Sequence, residues 1–182
     1  MVMKRYADDY ETVMKTDEKG REKKIAVYRG DYFECSLDQA GLGTFKRKSR
    51  VFLGLAAVLH ISGGFINNQG MFQFYVALPY VFAFFPLMYM AAGVLRLPKE
   101  KRKYRRDEMG LSFDRIKLNS RGLLFFLGMG TIGEILFLVF GTVSGQRLLE
   151  YWYLALEMMT AAAVYLLIRL QKQICVQPCS KA

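Results

Sequence analysis

The chain has 182 residues, 53% of them hydrophobic, with 26 Lys and Arg against 16 Asp and Glu and a net charge of +10. Residues 1–50 and 96–121 hold 22 of the 26 basic side chains, and residues 51–95 contain no charged side chain. This segregation excludes an ordinary soluble domain. Membrane topology alone accounts for the basic excess, so nucleic acid is not an expected partner.

The amino-terminal segment, 1–50, mixes twelve Lys and Arg with nine Asp and Glu. Its opening, MKRYADDYETVMKTDEKGREKK, has little to bury and reads as mobile. The next stretch, KKIAVYRGDYFECSL, sets Ile25, Val27, Tyr32 and Phe33 around Arg29-Gly30-Asp31, which predicts a β-hairpin near 23–37. Gly-Asp is an ordinary turn pair, so the triplet is not read as an adhesion ligand. A lone two-stranded hairpin is marginal in water. This one is expected to lean on the helices, the membrane surface or a partner.

Crossing a hydrocarbon core of roughly 30 Å takes about 20 apolar residues. Four stretches are candidates: 51–67, 72–95, 122–143 and 149–169. They form two transmembrane hairpins, 51–95 and 122–170, joined by a basic loop over 96–121 and followed by a tail over 171–182. The run 72–95 is apolar on every side, unlike the striped helix of a soluble protein. The predicted fold is an all-α membrane protein, a four-transmembrane-helix bundle with a short cytoplasmic amino-terminal β-hairpin.

The connection ISGGFINNQGMF has no Lys or Arg, and GTVSGQRLLEYW has only Arg147. Both termini and the central loop are therefore expected in the cytoplasm, with two short turns outside. The charged first fifty residues carry no signal-peptide core, which leaves the first helix as the insertion signal. The expected location is the plasma membrane of a bacterial cell. Cys35, Cys175 and Cys179 fall on the cytoplasmic side, where thiols stay reduced. CVQPC lacks the further Cys or His that a metal centre needs, so no metal or cofactor is expected.

Within the central loop, Pro98 fits the first turn of a helix running to about residue 118. Lys101, Arg102, Lys103, Arg105 and Arg106 form a juxtamembrane cluster suited to anionic headgroups. In the second span, Pro79 and Pro86 lie seven apart on one face, where each removes a backbone hydrogen bond and bends the helix. GMGTIG spells a dinucleotide fingerprint, but it lies inside a span with no strand before it. Its glycines are small packing residues.

Three ionisable residues interrupt the apolar runs: His60, Glu134 and Glu157. Each shares its helical face with small or polar neighbours, as do helix faces that pack on other helices. At about 1.5 Å per residue the three fall within about 5 Å in depth, near the midplane. One reading is structural: protonated carboxyls and His60 tie three helices by hydrogen bonds. Another is a relay for protons or cations, since intramembrane ionisable groups are default functional candidates. A third is a closed bundle in which they never meet.

No zinc-protease, nucleophile-elbow or Cys–His motif is present, and with one histidine no enzymatic activity is expected. The openings KSRVFLG and NSRGLLFFLG of the two hairpins are alike, yet the ionisable residues do not align between the halves. Four helices with a membrane glutamate are similar to the small multidrug-resistance exporters. Those are shorter and carry their key glutamate in the first helix, where this chain has His60, and its long basic loop has no counterpart in them, so that resemblance fails. The segments VYRGDYF and LPYVFAFFPLMY give a layout that resembles small four-helix bacterial inner-membrane proteins with a cytoplasmic hairpin. That resemblance implies an accessory or scaffold subunit bound to a larger membrane partner or to its own copies. The alternative expectation is a small proton- or cation-coupled transporter using the midplane acids.

Overall fold

The computed structural model describes residues 4–16, 22–98, 100, 103–142, 146–174 and 176–179. It is mostly helical. Strands β1 (Tyr10–Thr16), β2 (Glu22–Tyr28) and β3 (Tyr32–Cys35) precede helix α1 (Gln39–Gly63). Then follow α2 (Phe74–Leu95), the short strand β4 (Tyr104–Arg105), α3 (Arg106–Phe140), α4 (Arg147–Lys172) and β5 (Val176–Pro178).

Among the described residues three helices, α2, α3 and α4, are long and apolar enough to cross a membrane. The expected first span is not among them. Helix α1 ends at Gly63, not at residue 67, and its first half carries Lys46, Arg47, Lys48 and Arg50. The apolar part from Val51 to Gly63 is about 20 Å long, short of a core of about 30 Å. The polar Asn67, Asn68 and Gln69 belong to a turn instead of to the helix.

The helix expected within the basic loop is present in part, but it starts later and does not stop near 118. Residues 106–121 are helical and continuous with the apolar run, so α3 extends for 35 residues, about 52 Å. A π-turn over Gly110–Asp114 interrupts it. In place of the expected start at Pro98 stands β4, and the helix follows it.

An amino-terminal β-hairpin is present, but not at the expected 23–37. Glu22–Tyr28 pairs backwards with Tyr10–Thr16, in the segment read as mobile, in a register running from Tyr10↔Tyr28 to Thr16↔Glu22. Strand β3 instead sits between β4 and β5, both antiparallel to it. Cys35, Tyr104 and Met109 form a small core under this sheet. The root of the β1–β2 ribbon leans on the start of α3. Tyr10 Oη donates to Asp107 Oδ2 at 2.8 Å, and the Arg106 N–H donates to Tyr28 Oη at 3.0 Å.

In the bundle, α2 packs most extensively on α3 and α1 on α4, while α1 and α2 touch little despite being sequence neighbours. The α2–α3 seam is close because prolines meet glycines. A Cβ added to Gly130 would lie 3.8 Å from Pro79 Cβ, and one on Gly122 3.7 Å from Pro86 Cβ. Pro79 has no N–H to offer the Tyr75 carbonyl. Gly133 of α3 faces that carbonyl so closely that an added Cβ would stand 2.8 Å from its oxygen. Lys46 Nζ donates to the Leu97 carbonyl at 2.6 Å, tying α1 to the exit of α2 at the basic end.

A candidate buried polar site

The site grows from the ends of α1 and α4 opposite the basic end. Helix α1 stops at Gly63, and its His60 carbonyl receives the Tyr80 hydroxyl of α2 at 3.0 Å. This gives an orphan carbonyl of the last helical turn a partner. The His60 ring packs between Tyr80 (centroids 4.4 Å apart) and Phe84 (4.7 Å). Its Nε2 lies 3.2 Å from the Tyr80 carbonyl oxygen. A carbonyl only accepts, so Nε2 carries a proton.

The other ring nitrogen, Nδ1, lies 3.3 Å from Glu157 Oε1 of α4, with both side chains buried. Neither atom has a hydrogen-bond partner among the described residues, so the contact is one of ion-pair distance alone.

Glu134 of α3 is fully buried one layer further from the basic end. Its carboxyl faces that of Glu150 in the first turn of α4, a residue that the sequence reading missed. Glu150 takes Asn68 Nδ2 at 3.0 Å, the Gln69 N–H at 2.7 Å and the Gly70 N–H at 3.2 Å. No N–H or O–H donor among the described residues reaches either Glu134 oxygen. A Cβ on Gly70 would collide with Glu134 Oε2, so only glycine admits this approach. Two bare carboxylates in contact out of water repel, and a proton between them turns the contact into a hydrogen bond.

Tyr153 lies between the two pairs on the same face of α4, three residues after Glu150 and four before Glu157. It is fully buried, and its hydroxyl has no hydrogen-bond partner among the described residues. The spacing of Glu150 and Glu157, seven residues and so one face, was the available signal for Glu150. It went unread because Arg147–Glu150 looked like part of an exposed turn.

His60 and Glu157 are thus brought together, and Glu134 meets Glu150 in the neighbouring layer. Among the described residues no three His, Cys, Asp or Glu side chains converge as a metal ion would require. Pro79 and Pro86 are buried on the α3-facing side of α2. Of the basic cluster, Arg105 stacks over the Tyr28 ring at 5.6 Å and Arg106 lies 4.0 Å from Asp9. Lys103 is exposed, and Lys101 and Arg102 lie outside the described residues. No protein-family model, curated protein or solved structure matches the chain.

Proposed function

We infer that the chain is a non-enzymatic polytopic integral membrane protein that acts as an accessory or scaffold subunit of a larger membrane complex. The β1–β2 ribbon carries this reading. Its root is anchored on α3, but Val13, Ile25 and Val27 lie on one exposed face further out. An apolar face of β-branched residues on a two-stranded ribbon is a surface that a partner covers. The bilayer, with its anionic headgroups, is the other partner.

Four spans with both termini in the cytoplasm fit this reading. Val51, Leu55, Val58 and Ile61 form one outward apolar face on α1, and the His60–Glu157 contact sets the end of α1 at the depth of α4. The Lys and Arg distribution supports a cytoplasmic basic end in a bacterial plasma membrane. Phe65, Phe72, Phe74 and Trp152, all exposed at the opposite end, suit the outer aromatic belt.

A second reading, a small proton- or cation-coupled transporter, draws support from the two buried acid-containing pairs on three helices. Purification in a mild detergent separates the two. The subunit reading expects a second membrane protein in stoichiometric yield, lost from the folded Val13→Lys/Ile25→Lys variant. A lone protein or homo-oligomer with pH-dependent ligand binding would sink it and favour transport.

A further inference from the structure

At the basic end, α3, β3 and the end of α4 with the residues just after it line a half-open cavity of about 630 Å³. Four cations line it, Arg106, Lys117, Arg121 and Lys172, against one carboxylate, Asp114. Its remaining wall is apolar, with Phe33, Phe113, Ile168 and Ile174 prominent. No acidic partner among the described residues pairs with Lys117, Arg121 or Lys172. Gln171 also lines the cavity.

The position along the bundle matters as much as the lining. Arg121 immediately precedes the apolar run of α3, and Lys172 follows the last apolar turn of α4. The cavity therefore straddles the boundary between hydrocarbon and headgroups. Cations sit where phosphates lie, and apolar side chains continue toward the acyl region. A volume of several hundred cubic ångströms suits a small amphiphile.

We propose that this cavity binds one anionic phospholipid of the adjacent leaflet, its phosphate held by Lys117, Arg121 and Lys172 and its glycerol and upper acyl chain lying against Phe113 and Ile168. The site differs from diffuse attraction of a polybasic surface because it is concave, counts one occupant and discriminates by position. It depends on the membrane placement of α3 and α4 and on neither reading of activity.

Native mass spectrometry of the full chain, exchanged from detergent into mixed micelles, provides the test. The probes are phosphatidic acid, phosphatidylglycerol and phosphatidylcholine. One retained anionic lipid per chain is expected, favoured over phosphatidylcholine by about tenfold or more. Lys117→Ala/Arg121→Ala should cut that retention about tenfold. Lys48→Ala/Arg50→Ala, which removes equal charge from the start of α1 outside the cavity, should leave it unchanged. Lys172→Ala, an exposed side chain, is the second variant if the first pair unfolds, and it should weaken retention in the same direction. Equal losses from both double variants would reduce the effect to surface charge and overturn the proposal. Displacement of the lipid by equimolar glycerol 3-phosphate would also overturn it, by assigning the cavity to a soluble anion.

Discussion

His60 Nδ1 and Glu157 Oε1 stand 3.3 Å apart between α1 and α4, both side chains shut off from solvent. The contact joins the least apolar helix to a helix able to span the membrane on its own. Removing one member of a buried pair leaves the other without compensation, at about 3–5 kcal/mol, whereas removing both costs much less. His60→Leu and Glu157→Leu should each destabilise the protein more than the His60→Leu/Glu157→Leu double variant does. Denaturation in detergent reads this directly. Simple additivity of the single effects would mean that the pair is not coupled.

Glu134 faces a carboxyl whose other partners are all N–H donors. Gln at 134 can still donate to Glu150, so Glu134→Gln should fold nearly as well as the parent. Glu134→Leu should lose about 0.6–2 kcal/mol of helix association. If the pair also moves protons, Gln preserves the fold but abolishes pH-coupled activity. Stability is therefore measured before activity.

Much of the helical architecture was legible in the sequence, because an uncharged run such as 72–95 admits few other folds. The limits of α1 were not. Asn67 and Asn68 looked like the end of a span, yet Asn68 is buried as a donor to Glu150, which only a tertiary contact reveals. The start of α3 was misplaced at Pro98, because only the pairing of Tyr104 and Arg105 with β3 marks where the helix begins. The β3–β4–β5 sheet was out of reach altogether. Tyr32 and Arg105 are register partners across more than seventy residues, and strands of two to four residues carry no periodic signal.

The close α2–α3 seam makes two glycines unequal. Gly133→Val should cost about 1–3 kcal/mol, because the new side chain meets the Tyr75 carbonyl, which cannot retreat without moving α2. Gly128 lies on the same helix, yet an added Cβ there meets no atom within 4 Å. Gly128→Ala should change stability by less than about 0.5 kcal/mol. Thermal unfolding of the two variants side by side checks the seam. Equal effects would remove the close approach.

The docked root of the ribbon should loosen at alkaline pH. Burial first, and then donation to Asp107, raises the Tyr10 hydroxyl above its ordinary value; burial also raises Tyr28. A pKa raised on folding stabilises the docked form fully below the unfolded value, near 10, and that contribution is lost as pH rises through the folded value. Tyrosinate absorbance should therefore show late titration accompanied by faster tryptic cleavage in the ribbon. Tyr10→Phe should remove part of the late titration. Resistance to cleavage that does not change through that pH range would refute the linkage.

Orientation is open to labelling in intact cells. Phe65→Cys lies in the exposed turn after α1 and should react with an impermeant thiol reagent from outside. Met14→Cys, exposed on the ribbon, should react only after the membrane is opened. The reverse pattern would invert the topology.

Strand β3 is synthesised before any of the long helices, and β5 only after the last of them. The ribosome has therefore delivered every hydrophobic segment before β3 can acquire its second neighbour. Until then one edge of β3, from Phe33 to Cys35, remains open to other chains. Completion of this small sheet thus marks delivery of the last long helix, and a chain stalled before Val176 would be distinguishable from one carried past it by a single unpaired edge.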